Sequence, residues 1–207
     1  MNKRIKGVIF DVSGVLWLGL VTELRLHSGV HELIAKKLGI TIDQYFDSID
    51  TIYAKSIIGE INEKKALSIM AKNLKTTPSK LKSLYMREYK RHFILNKSLI
   101  SFAEGLKKKG YKIAILSDQW PVSKESFIIK KFYKIFNPVL VSCDIQTRKP
   151  NPKAYKLALK KLKIRPEQSI FIDNQIWNIK PARKLGMHAI LFKNNKQVIK
   201  ELNGLLK

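Results

Sequence analysis

The feature that most constrains this chain is a change of hydrophobic period after about residue 96. From there, short and nearly continuous apolar runs alternate with amphipathic segments of helical spacing. Residues 98–110, 124–136, 151–164 and 176–187 read as helices, and residues 111–119, 138–145, 168–175 and 188–192 as strands. Gly110 and Gly186 stand where the first and last of those helices should stop. Such alternation predicts right-handed β-α-β crossovers onto a parallel sheet buried on both faces, so its strands need no polar side. A last short helix is expected around residues 198–206. One further apolar run, Ile5–Phe10, ends at Asp11 and is broken by Ser13-Gly14. Alone it has nothing to pair with, so it must join the later strands.

Residues 17–95 read as helical throughout, with no strand pattern. Leu33, Ile34 and Leu38 share one face ahead of a stop at Gly39, and Tyr45, Phe46, Ile49, Ile52 and Tyr53 recur at helical spacing. Asn62 is placed to cap the next helix, and Thr77-Pro78 to open the one after. The expected fold class is α/β. A three-layer, Rossmann-like parallel-sheet core is formed by residues 1–16 and 96–207, and a helical bundle of residues 17–95 is inserted as a cap.

Composition narrows the partners. There are 40 Lys and Arg against 16 Asp and Glu, a formal net charge of +24, yet 45% of residues are hydrophobic, too many for a disordered polybasic chain. No apolar run approaches the ~18 residues of a membrane span. The excess charge is uneven, +19 in the expected core and +5 in residues 17–95. Lys supplies 33 of the 40 basic residues, whereas base reading and bidentate phosphate clamping favour Arg. Nucleic acid is therefore not the favoured partner, and a Lys-rich periphery instead favours an anionic small substrate. The basic start reaches Asp11 too soon for a secretory leader, and Cys143 is the single cysteine, so a cytoplasmic location is expected.

Ligands of open α/β sheets gather at the carboxyl ends of the strands. Asp11, Ser13, Ser117, Asp118, Lys149, Asp173 and Asn174 all fall there or in the loops just beyond. Asp11 and Asp173 each directly follow an apolar strand. If those strands are neighbours, the carboxylates face each other and need a cation between them, for which oxygen ligands suit Mg²⁺.

Four segments in order carry a family resemblance: FDVSGVL (10–16), ILSD (115–118), KPNPKAY (149–155) and FIDNQIWNIKPARKLGM (171–187). The chain resembles the haloacid dehalogenase-like hydrolases, mostly phosphatases that work through a phospho-aspartate, and specifically the subgroup with a cap inserted after the first motif. The resemblance implies Asp11 as nucleophile, Ser117 as hydrogen-bond donor to a phosphoryl oxygen and Lys149 as the cation stabilising the transferring group. It also implies Mg²⁺ held by Asp11, the backbone carbonyl of Ser13, and Asp173 with Asn174. A small phosphorylated substrate would sit against Trp17, Asp118, Trp120 and Asn178.

Two positions depart from the family pattern. Ser13 stands where a second Asp usually protonates the leaving oxygen and then activates water; losing such a group typically costs about 10²–10⁴ in rate. Asn174 stands where a second acidic residue is common, which weakens the hold on a cation. Three readings follow: a slow Mg²⁺-dependent phosphatase, a catalytically impaired relative that binds a phosphorylated ligand, a protein or nucleic acid, and a metal-independent dehalogenase-like hydrolase. Trp177 resembles the dehalogenase branch, and Asp173 argues against it.

The remaining candidates are weaker. His27, His31, His92 and His188 lack the spacing of a metal site, and Cys143 has no evident His partner and is expected to be a small buried residue. Leu18 and Leu20 are expected to wall the pocket or pack at the hinge, and Arg148 to face solvent or touch phosphate.

Overall fold

The computed structural model describes residues 4–19 and 30–206; Leu20 and His27, named above, lie outside the described residues. Five parallel strands form the central sheet: β1 (Gly7–Phe10), β4 (Lys112–Ser117), β5 (Val139–Val141), β6 (Ser169–Asp173) and β7 (His188–Leu191). Their order across the sheet is β5-β4-β1-β6-β7, so the run at residues 5–10 does join the later strands, at the centre. Phe10 aligns with Ile115 on one side and Ile172 on the other. The chain first winds outward through β4 to β5 and then returns to the far side of β1. That reversal puts the end of β1 at the topological switch point of the sheet.

The strands alternate which face they feed, and both faces are dry. Val8, Phe10, Ile113, Ile115, Ile170 and Ile172 point to one side, together with residues of α5 (Lys97–Lys108), α7 (Lys130–Ile135) and α11 (Asn195–Leu205). Ile9, Ala114, Leu116 and Phe171 point to the other, against α9 (Pro152–Leu162) and α10 (Ile176–Lys184). This double burial explains why the strand sequences are apolar on consecutive residues.

Among the described residues between β1 and α5 lie four helices, α1 (Val30–Leu38), α2 (Ile42–Ser56), α3 (Glu63–Asn73) and α4 (Pro78–His92). Asn62 and Thr77 cap α3 and α4 as their sequence positions predict, accepting from Lys65 N–H and Lys80 N–H. The expectation of an all-helical stretch needs correction at its two ends. Trp17–Gly19 (β2) and Phe93–Leu95 (β3) pair antiparallel, forming a two-stranded ribbon where the chain leaves and re-enters the sheet layer. Three-residue strands that meet across such a sequence separation leave no periodic signal.

Two further corrections concern the core. The helix read over 124–136 is broken into α6 (Pro121–Phe127) and α7, with Ile128 and Ile129 extended or nearly so between them. Both residues are apolar, so the pattern hides the break. The strand read over 138–145 stops at Val141, and Ser142–Ile145 form a short helix, α8, that ends with Gln146 in the left-handed region (φ 54°). Among the described residues, no helix is long and apolar enough to cross a membrane.

Candidate active site

Strand order decides what meets at the sheet's carboxyl edge. Asp11 leaves β1, Ser117 ends β4 and Asp173 ends β6, three adjacent strands, and Asp11 N–H donates to Ile172 C=O at 2.9 Å. Lys149, between α8 and α9, enters from the side and is almost wholly buried (2% exposed). Its ammonium donates to Asp11 Oδ1 at 2.8 Å and to Asp173 Oδ2 at 2.7 Å. The cation that the two facing carboxylates require is thus the protein's own lysine. The main-chain N–H of Lys149 also donates to Asp118 Oδ1 at 3.1 Å.

Asp173 has few lone pairs left. Oδ1 accepts from Gln175 N–H at 2.7 Å, and Oδ2 accepts from Lys149 and from Asn178 Nδ2 at 3.0 Å. Asn178 is itself anchored from below, its carbonyl accepting from the Tyr155 hydroxyl at 2.9 Å. Asp173 thus helps to seat Lys149, and a lone pair of Oδ1 is left for a further ligand.

Three carboxylates surround one ammonium. Burial pushes the Asp11 carboxyl up to about 7; Lys149 opposes this and the charge of Asp173 adds to it. Burial also raises Asp118, against the pull of Lys149. For Lys149 burial disfavours the charge, but the attraction of Asp11, Asp173 and Asp118 outweighs it and holds the ammonium above the ordinary lysine range.

Among the described residues, no group of three or more His, Cys, Asp or Glu is arranged to hold a metal. Oxygen donors of another kind are present. Asn174 Oδ1 is buried without a hydrogen-bond partner, a costly state for an amide oxygen. It lies against Gly14, whose φ of +84° is left-handed and whose missing Cβ would fall 2.3 Å from Asn174 Nδ2 and 3.0 Å from Oδ1. A glycine is needed there on both counts. Asp11, the Ser13 carbonyl and Asn174 Oδ1 are oxygen donors of the kind a hard divalent cation takes, and only one of the three carries a charge.

The second set of contacts surrounds Ser13. Gln119, 4% exposed, donates from Nε2 to Ser13 Oγ at 2.8 Å and to Ser117 Oγ at 3.3 Å, and accepts at Oε1 from Ser123 Oγ at 2.7 Å. The Ser142 hydroxyl fixes the Gln119 main chain, its oxygen 3.1 Å from both N–H and C=O. Sequence reasoning missed Gln119, Ser123 and Ser142. The one available signal was position, since Gln119 follows Ser117-Asp118 at a strand end.

Of the other expected pocket residues, Trp17 donates its indole N–H to Phe127 C=O at 2.9 Å and, with Tyr89, Phe93 and Phe127, lines an apolar cavity of about 430 Å³. Trp120 is buried against Tyr53 and Tyr85 of the helical block, with ring centres 5.4 and 5.2 Å away. Tyr53 lies near enough to Asp118 and Arg148 for their charges to act on its hydroxyl, although burial is what chiefly raises it. Arg148 is exposed, Trp177 is 58% exposed, and Leu18 packs at the edge of the core. Cys143 is half-buried in α8, its thiol pushed up to about 11 by burial, far from a nucleophile's range.

A family model described as haloacid dehalogenase-like hydrolase matches residues 5–186. The chain belongs to that family. A glyceraldehyde 3-phosphate phosphatase from Methanocaldococcus jannaschii is 23% identical over 90% of this chain and 84% of its own length. Bifunctional epoxide hydrolase 2 of Rattus norvegicus is 31% identical over 113 residues, 52% of this chain, and the match covers only 20% of that protein. Among solved structures, a family enzyme from Bacteroides thetaiotaomicron in complex with magnesium and inorganic phosphate aligns with a TM-score of 0.73 at 19% identity, covering 94% of this chain and 98% of that one. That likeness shows the fold.

Proposed function

We propose that this hydrolase is a phosphatase of small phosphorylated compounds, with Asp11 as the nucleophile and residues 17–95 as a cap over the strand ends. The carrying observation is the buried Asp11–Lys149–Asp173 bridge at the switch point of the sheet. A carboxylate held against a fixed ammonium can attack phosphorus in line and form an acyl phosphate. Lys149 then lies against both the nucleophile and the oxygens of the phosphoryl group under attack, where negative charge gathers in the transition state. The Ser117 hydroxyl hydrogen-bonds a phosphoryl oxygen. Asp173 and Asn178 keep Lys149 in place.

Asp11, the Ser13 carbonyl, Asp173 and Asn174 would hold Mg²⁺, with Asp173 also seating Lys149. When bound, the ion screens the repulsion between an anionic nucleophile and an anionic substrate. The phosphatase relatives and the magnesium- and phosphate-bound neighbour support this reading. Its test is phosphate release from a panel of small phosphate compounds with and without Mg²⁺. Release should require the ion and vanish in Asp11→Asn; metal-independent release of halide from a haloacid would instead favour the dehalogenase-like reading.

A further inference from the structure

Expelling an alkoxide from phosphorus needs a proton; expelling a carboxylate or an acidic enolate does not. Lys149, Ser13 and Ser117 are fixed by their contacts, and Asp118 is turned to the Lys149 main chain, accepting its N–H at Oδ1. Lys149 is shared by two buried carboxylates, which would face each other unpaired if its proton left. Ser13 and Ser117 accept the amide N–H of Gln119, and Gln119 is locked by Ser123. The amide thus occupies a lone pair of each hydroxyl and leaves each O–H free to donate. Among the described residues this network joins only hydroxyls and a carboxamide, none of them an acid or base at neutral pH. It is built to donate hydrogen bonds, not to relay protons.

We infer, on the reading of Asp11 as nucleophile, that the substrates are phosphate compounds with an acidic leaving group, acyl phosphates foremost, and that turnover pauses at the phosphorylated Asp11. In the first step an Asp11 carboxylate oxygen bonds to phosphorus as the bond to the leaving oxygen breaks. That oxygen departs with the electron pair as a carboxylate, and no proton moves. In the second step water bonds to phosphorus and the Asp11 oxygen takes back its electron pair. One proton of the water stays on phosphate and the other passes to solvent. With no side chain of the Ser13–Gln119 network to take that proton, the second step is the slower one.

The experiment compares kcat/KM with Mg²⁺ for acetyl phosphate, p-nitrophenyl phosphate, phenyl phosphate and ethyl phosphate, and follows Asp11 by mass spectrometry after rapid quenching. The rate should fall by about 10²–10⁴-fold from the acyl to the alkyl compound, the usual worth of a general acid. Asp11 should carry a phosphoryl group during acetyl phosphate turnover. Ser13→Asp should raise ethyl phosphate hydrolysis by a similar factor and flatten the series. Gln119→Glu, which sets a carboxyl against the Ser13 hydroxyl, should move in the same direction. Equal rates for acetyl and ethyl phosphate in the unaltered protein would overturn the inference and leave Asp11 as nucleophile standing. So would a selective loss of ethyl phosphate hydrolysis in Asp118→Asn, which would make Asp118 the acid. Absence of phosphate release and of phosphorylated Asp11 with every compound, in the unaltered protein and in Ser13→Asp alike, would overturn the nucleophile itself.

Discussion

Two polar clusters are buried in this molecule, and they solve burial in opposite ways. At the strand ends, the Lys149 ammonium is held between Asp11 and Asp173 at 2.7–2.8 Å. Inside the helical block, His31 Nδ1 and the Tyr45 hydroxyl are 2.8 Å apart, Tyr45 bonds to Tyr85, and burial keeps all three neutral: His31 is lowered to about 4, and both tyrosines are raised well above their usual range. The charged cluster is expensive to build in a dry place and is kept where chemistry needs it. The neutral one orders a small aromatic core without that penalty. Trp120 touches both worlds, packed on Tyr85 and adjacent in sequence to Gln119.

The comparison can be broken first at the charged end. Lys149→Met should leave Asp11 and Asp173 facing each other unpaired and destabilise the fold by about 3–5 kcal/mol in denaturant titrations. Adding Asp11→Asn to that variant should recover part of the loss; an additive or larger loss would mean Lys149 acts through packing alone.

At the neutral end the expected response is to acid. The His31 ring takes a proton near its ordinary 6.5 when unfolded but only near about 4 when folded. The unfolded chain thus binds more protons between those values. The contribution is whole above about pH 6.5 and drains away as pH falls towards 4, amounting to about 3 kcal/mol. Unfolding titrations at several pH values should show this slope, and His31→Phe should flatten it. A smaller effect is expected for Tyr45→Phe, which removes the shared hydroxyl and strands its partners, at about 1–3 kcal/mol in the same titration. No change there would separate Tyr45 from the cluster.

The same contrast explains what could be read from the sequence. Asp11, Ser117 and Asp173 each adjoin an apolar run, so local pattern placed them on the correct edge of a parallel sheet. Their neighbourhood then followed from strand order alone. Gln119 and Ser13 meet across 106 residues, and the Tyr45–Tyr85 contact across 40, with no periodicity to announce either. The β2–β3 ribbon was hidden for the same reason.

The most direct test of the account is a crystal structure with Mg²⁺ and beryllofluoride, a mimic of a phosphoryl group on a carboxylate. The account predicts the mimic on Asp11, Lys149 still bridging to Asp173, and Mg²⁺ in contact with Asp11 and Asn174. A bare Asp11 still closed against Lys149, with neither ion nor mimic bound, would contradict it.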